Sequence, residues 1–456
     1  MTKFSAAQRQ AIEHKDGPMM VIAGPGSGKT AVLTQRICHL VNECRIAPGS
    51  ILVITFTRAA AREMEERYSR LVRGKRLNGV TFGTFHSVFL RILKDYGKDA
   101  GALKLIEEKE AVLLLREQVL KRSPGAQYTG DYYDHMLQEI GRIKNGMEPD
   151  DPDVPELMRL YDTEMRRRGL IDFDDMLIRC RELISSDPRI LAGLRKKYTY
   201  IMVDEFQDIN PVQFDIIRLI AEPLNNLFIV GDDDQSIYAF RGSDPSIMLS
   251  FADLYPGASV VELSLNYRSS GNIVRASAKL IRHNKNRFHK HLRTSHEKGP
   301  KLKYTAYRDA YDEAEGVIRF IAGLPDHTSV GVLFRTHRAG NVFLQMINAM
   351  KENSEAFSRQ LQSKTIQPMT FHASKGLEFD AVCIIRAEET VTPAKTDAGG
   401  TGDSKSIEEE RRMFYVAMTR AKLFLHISYT KYSYNKKNRR SRFVREALGI
   451  RWPGIF

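Results

Sequence analysis

Lys29 and Thr30 follow glycines at 24, 26 and 28 in the stretch "MVIAGPGSGKTAVL" (20–33). Glycines let backbone N–H groups turn toward one point and let an anion come close. An apolar run enters the loop at Ala23, and an apolar helical pattern leaves it near Lys29, so a helix N-terminus adds its positive end. That spacing predicts a phosphate-binding loop formed by Ala23, Gly24, Pro25, Gly26, Ser27, Gly28, Lys29 and Thr30. Lys29 is then placed for the β- and γ-phosphates of a nucleotide, and the Thr30 hydroxyl for Mg²⁺. Ala23 stands where the pattern usually begins with glycine, and alanine is the other small choice. The plainer reading is a glycine-rich turn before Lys-Thr; a strand before it and a helix after it weigh against that.

A nucleotide hydrolase needs a second half. The run "YIMVDEFQD" (200–208) ends an apolar strand on Asp204 and Glu205, at the carboxyl edge where α/β sheets bind ligands. Asp204 is the candidate Mg²⁺ ligand, directly or through water, and Glu205 the candidate base for the attacking water. Alone, this pair reads equally well as solvated carboxylates at a strand end. Charge at the γ-phosphate needs a sensor and cations. Gln235 in "VGDDDQSIYAFRGS" (230–243), Arg268 in "NYRSS" and Arg420 in "YVAMTRAK" are candidates as a set; singly, each arginine reads as a surface residue.

These residues need a scaffold. Apolar runs at 19–23, 51–56, 200–204 and 227–231 alternate with helical patterns such as "AAAREMEERYSRLV" (59–72), the βαβ signature of a doubly wound parallel sheet. Residues 101–185 read as amphipathic helices without strands, an insertion in that first domain (1–100 and 186–265). Runs at 329–335, 366–372, 380–385 and 423–429 predict a second α/β domain over 266–456. The Gly/Ser/Asp-rich stretch 392–406 reads as a loop. The chain has 456 residues, 42% hydrophobic and 27% charged, which bounds it to a globular class of two or three domains. A net charge of +13 favours a polyanionic partner such as nucleic acid. Four cysteines without metal-ligand spacing, and no long apolar run, point to a reducing, cytoplasmic setting without a membrane.

The motifs in order resemble the UvrD/Rep/PcrA-type superfamily 1 DNA helicases. "FSAAQRQAI" (4–12) is similar to the Q motif, "AGPGSGKT" to motif I, "ILVITFTRAAAREMEER" and "TFGTFHSVFLRIL" to motif Ia and its successor, and "IDFDDML" (171–177) to a further signature. "VDEFQDINPVQ", "VGDDDQSIYAFRG", "LSLNYRSS", "MTFHASKGLEFDAV" and "EEERRMFYVAMTRAK" match motifs II to VI. The resemblance implies two RecA-like P-loop domains and an ATP- and Mg²⁺-dependent enzyme. It implies that Gln8 reads the adenine edge, that Tyr267 stacks on adenine, and that Gln235 links the γ-phosphate to the DNA-binding loop. Arg268 and Arg420 are then arginine fingers, and Glu378 helps hold the nucleotide from the second domain.

Single strands are held by aromatic platforms and backbone cations. Phe56, Tyr238, Phe240 and Arg241 sit on the motifs beside the nucleotide residues, and the resemblance implies that they stack on bases. Thr84, His86, Arg335 and His372 are further strand-contact candidates. The segment "KYSYNKKNRRSRFVR" (431–445) either holds phosphates or is a solvated basic tail.

The chain departs from the family at three points. Ala31 replaces the arginine that stacks opposite Tyr267. Phe240 stands where tryptophan is usual. Only residues 341–368 separate "VGVLFRTHRAG" from "MTFHASKGLEF", too few for the family's 2B insertion, so that domain is absent or reduced to about 341–366. Either the member is naturally compact or the domain has been cut out. With about thirty residues after motif VI, no fused nuclease is expected.

The expectation is a monomeric, nucleoid-associated ATP-dependent helicase and 3′→5′ single-stranded DNA translocase. It would act on single strands and single-strand/duplex junctions, with a loading partner from repair or replication. Moving proteins on DNA without unwinding is the alternative.

Overall fold

Five-residue apolar runs without charge can be buried on both faces, and that is how Met19–Ala23, Ile51–Thr55 and Leu227–Gly231 form strands. The computed structural model describes residues 4–72, 79–97, 104–125, 128–149, 151–353, 361–389, 391–394, 404–433 and 436–449. By packing, the chain divides into two units. One contains Lys29–Asp233 and Tyr238–Leu263 with the chain up to Ala23; the other contains Gly24–Gly28, Asp234–Ile237 and the chain from Ser264.

The first unit is built on a six-stranded parallel sheet in the order 81–84, 51–55, 200–203, 227–231, 19–23, 259–263. Its core joins Val21, Ala23, Val53, Met202 and Val230 to Val32, Leu33 and Ile37 of the helix Lys29–Asn42. Helices Glu108–Arg122, Gly130–Lys144 and Val154–Arg167 carry a separate core of Leu114, Leu115, Met136, Ile140, Leu157 and Tyr161. The expectation of no strand in 101–185 is corrected here. Lys104–Leu105 pairs in parallel with Leu170–Ile171. Two residues are too few to leave a periodic signal.

The second unit has a five-stranded parallel sheet in the order 303–307, 421–430, 379–384, 329–334, 365–370. Val330, Val332, Phe334, Ala381 and Cys383 meet Val317, Ile318 and Ile321 of the helix Ala310–Ala322 in its core. Between the strands 329–334 and 365–370 lies the helix His337–Asn353; residues 354–360 of the expected 341–366 remnant fall outside the described residues. So do 395–403 of the expected loop and 434–435 of the basic segment.

Cys38, Cys180 and Cys383 are buried, and Cys44 is half-buried. No described helix is long and apolar enough to cross a membrane.

Candidate nucleotide and nucleic-acid site

The strand Met19–Ala23 ends where the glycine loop begins, and the helix after the loop starts at Lys29. Gly26 and Gly28 take φ of +65° and +85°, a region that side chains other than glycine enter only with strain. A Cβ on Gly26 would lie 2.6 Å from Arg268 Cβ. Asn266 holds the loop from below: its Nδ2 donates to Pro25 O at 2.7 Å, and its Oδ1 accepts from Arg268 N and Ser269 N, each at 2.7 Å. Tyr267 N donates to Gly26 O at 2.8 Å, and the Tyr267 ring is exposed. Asn266 was not among the sequence candidates; a polar residue at the end of an apolar run, directly before Tyr267, was the available signal.

Lys29 Nζ lies 3.1 Å from both Glu205 carboxylate oxygens. Burial works against its charge, but Glu205, Asp204 and Asp232 outweigh that and raise its pKa. Burial, then the Glu205 charge, raise the Asp204 pKa, and Lys29 pulls it the other way. Glu205 sits at φ +51° in the left-handed region, and its N–H donates to Asp204 Oδ1 at 3.0 Å. Gln207 Nε2 donates to Glu205 Oε2 at 2.7 Å, and Gln207 Oε1 accepts from Asp232 N at 2.9 Å. A side chain on Gly231 would meet Gln207 Oε1 at 2.7 Å, so that glycine leaves room for the strut. Gln207 also escaped the sequence reading.

The donor set suits its expected occupants. Hard hydroxyl and carboxylate oxygens on Thr30 and Asp204 match a small divalent cation, and the Gly26 cradle admits no side chain.

Gln235 and Arg420 meet: Arg420 Nη2 donates to Gln235 Oε1 at 2.9 Å. Arg420 is buried and also donates to Val416 O and Leu377 O. Lys375 Nζ donates to Gln235 O at 2.7 Å. Next to Gln235, buried Asp234 is held by Arg287 at 2.6 Å and Lys290 at 2.7 Å. Arg268 Nε donates to Glu378 Oε2 at 2.8 Å, and Lys422 takes the other oxygen at 2.8 Å. Burial works against the charge of Glu378, but these two cations hold its pKa low.

The aromatic candidates also converge. Phe56 stacks on Tyr238 with centroids 4.9 Å apart, Tyr238 meets Phe240 at 6.1 Å, and the Arg241 guanidinium lies 5.8 and 5.5 Å from those two rings. His86 meets exposed Phe173 edge-on at 4.8 Å. Burial, then the Arg241 charge, bring the His86 pKa down to about 4.

Three candidates have other named partners. Thr84 caps the helix Phe85–Tyr96, accepting from Ser87 N. Gln8 Oε1 closes the capping box of Ala6–Glu13 by accepting from Ser5 N at 2.9 Å. Arg335 forms a forked pair with Glu410 at 2.7 and 3.0 Å. His372 is half-buried in the turn after strand 365–370. Buried Arg36 ties the Gln8 helix to the helix after the candidate phosphate loop, donating to Ala11 O at 3.5 Å and to Lys15 O at 3.2 Å, with its guanidinium 4.4 Å from the Phe228 ring centroid.

Comparison with known proteins gives matching results along nearly the whole chain. The profile of the UvrD/REP helicase N-terminal domain matches residues 4–256. That of the UvrD-like helicase C-terminal domain matches in two pieces, 261–351 and 341–432. The putative ATP-dependent DNA helicase YjcD of Bacillus subtilis is 36% identical over 366 residues, 75% of this chain and 47% of the relative. The ATP-dependent DNA helicase PcrA of Leuconostoc citreum is 36% identical over 350 residues, covering 72% and 46%. PcrA of Bacillus subtilis is 34% identical over 372 residues, covering 75% and 48%. The chain spans about half the length of these curated relatives.

Proposed function

Because the chain belongs to the UvrD/REP helicase family, we propose that it is an ATP-dependent DNA helicase and single-stranded DNA translocase with 3′→5′ polarity. The observation that carries the proposal is the contact of Lys29 with Glu205 at 3.1 Å, a phosphate-loop cation joined to the candidate base. In this reading the triphosphate draws the Lys29 ammonium away and leaves Glu205 to take the proton of the attacking water. Gln207 keeps the Glu205 carboxylate aimed. Thr30 and Asp204 would hold Mg²⁺, which would supply charge neutralisation at the phosphates. Arg268 and Arg420 stabilise charge on the γ-phosphoryl oxygens, Tyr267 and Gln8 hold the adenine, and Glu378 positions Arg268. The rings of Phe56, Tyr238 and Phe240, with Arg241, grip bases of the strand, and Thr84, His86, Arg335 and His372 are further strand contacts.

The domain reading is 1–100 with 186–265 for the first RecA-like domain, 101–185 for a helical insertion and 266–456 for the second, with nucleotide turnover coupled to domain closure and opening. Strand displacement with 3′- and 5′-tailed duplexes tests the proposal: 3′-tailed substrates are unwound and 5′-tailed ones are not. A preference for 5′ tails would overturn the polarity. No displacement, together with DNA-stimulated ATP turnover, would favour a second reading, in which the chain moves proteins on DNA without unwinding it. The two-piece match of the C-terminal profile, meeting at 341–351 where the family's 2B insertion is absent or reduced in this chain, supports keeping that reading.

A further inference from the structure

After the strand Ala421–Thr430 the chain folds into a short antiparallel ribbon in which Tyr432 faces Lys437 and Ser433 faces Lys436. Residues 431–440 carry five cations, Lys431, Lys436, Lys437, Arg439 and Arg440. No described carboxylate forms an ion pair with Lys431, Lys436, Lys437 or Arg439, and all four are exposed. By contrast, the neighbouring Arg442 is engaged, its Nε 2.6 Å from Glu389 Oε1.

The ribbon is anchored rather than trailing. Asn438 Nδ2 donates to Thr430 O, Thr430 Oγ1 and Ser433 Oγ at 3.2, 3.0 and 2.8 Å. Asn438 N donates to Lys431 O, and Glu389 N to Arg439 O, each at 2.7 Å. Lys431 N and Tyr432 N donate to Tyr307 O and Arg308 O at 2.8 and 2.9 Å. Beneath it, buried Glu388 accepts from Arg386 Nε at 2.7 Å and from Thr430 Oγ1 at 3.2 Å.

Side chains alternate along a strand, and directly opposed residues share a face. Ser433 and Asn438, which bond to each other, are only partly exposed, whereas Tyr432, Lys437 and Arg439 are exposed. The outer face therefore presents an aromatic ring opposite one cation, and exposed Arg439 follows two residues on, just past the paired residues. Like charges held on a fixed backbone repel, so this face lacks an anion that the described chain does not supply. The exposed ring selects among anions. An acidic peptide or a duplex backbone has no use for it, while an unpaired base stacks on it.

We infer that the face of Tyr432, Lys437 and Arg439 is a second single-strand site, separate from the aromatic cluster at Phe56, Tyr238 and Phe240. Lys437 and Arg439 neutralise phosphates and Tyr432 stacks on a base. The choice of polymer rests on the proposed function; the ribbon's charge and order do not.

The test is equilibrium binding of a long single-stranded DNA without nucleotide, over a range of salt. Lys437→Ala with Arg439→Ala lowers the log–log salt slope by about 1.4, about 0.7 for each lost phosphate contact. Tyr432→Ala weakens binding about ten-fold, and Tyr432→Phe restores it. ATP turnover at saturating DNA stays at the parent's level in each variant, and thermal melting verifies folding. Parent-like binding and slope in all variants would overturn the inference. So would equal losses on single strands and duplex, a loss seen only with polyglutamate, or a parent that does not bind single strands. A parent that binds single strands but hydrolyses no ATP overturns the proposed function and leaves the binding test readable.

Discussion

Lys29 and Glu205 neutralise one another at 3.1 Å, and in the proposed reaction each is needed elsewhere. Glu205→Gln keeps the shape and the Gln207 strut but removes the proposed base. Its expected effect is a fall of about 10²- to 10⁴-fold in kcat with nucleotide binding retained, read by phosphate release beside titration with a fluorescent nucleotide. Gly26→Ala acts through the backbone: positive φ costs about 1–2 kcal/mol for a side-chain residue, and the new methyl meets Arg268 Cβ at 2.6 Å. We expect nucleotide affinity to drop at least ten-fold, with a lower melting temperature. His86, with its pKa near 4, stays neutral from pH 5.5 to 8. Single-strand affinity over that range should therefore show no protonation step that His86→Gln abolishes, a comparison that fluorescence anisotropy makes directly. At this scale the candidate phosphate loop and acidic pair were legible as candidates because their residues are local in sequence. Asn266 and Gln207 were not, because their value lies in partners far along the chain, Pro25 and Asp232.

Among the elements, buried Lys144 draws three helices of the first unit together. It meets Asp162 on Val154–Arg167 at 2.9 Å, and Asp172 and Asp175, the cap and first turn of Phe173–Ser186, at 2.7 Å each. Its neighbour Asn145 donates to Asp174 at 2.8 Å and packs where a side chain on Gly242 would come within 3.4 Å, just past Arg241. Lys144→Met leaves three carboxylates without their cation, which costs about 3–5 kcal/mol. The expected outcome is a lower urea midpoint and a greater loss of single-strand affinity than of nucleotide affinity. The signature "IDFDDML" was visible in the sequence, but its cation, 28 residues from Asp172, was not. The strand readings divide on the same physics. The buried runs at 19–23 and 227–231 matched the observed strands, and the other six differed from theirs by one or two residues at one or both ends. Thr81–Thr84, Ser259–Leu263 and Lys303–Tyr307 went unread because they are edge strands, partly exposed and polar, without an unbroken apolar run.

For the molecule as a whole, a net charge of +13 accords with a polyanionic partner. Its stability should carry a pH signature from Glu313, a carboxyl in the second unit with almost no exposure. Burial, then the Glu388 charge, push its pKa up to about 7. The folded state thus holds a proton that the unfolded state releases near the ordinary value of about 4.3. This contribution is full below that value and is lost as pH rises toward 7. Glu313→Gln should flatten the decline, so that urea midpoints at pH 5 and pH 8 differ less than the parent's. The cysteines carry a practical consequence. Burial raises the thiol pKa of Cys38 to about 11 and of Cys180 to about 12, and raises that of Cys383 as well. Cys44, with its Sγ 3.5 Å from His39 Nε2, is the half-buried exception two residues past the helix that begins at Lys29. A maleimide dye should therefore mark one position without any engineering, leaving an optical reporter attached at the far end of the helix that follows the glycine loop.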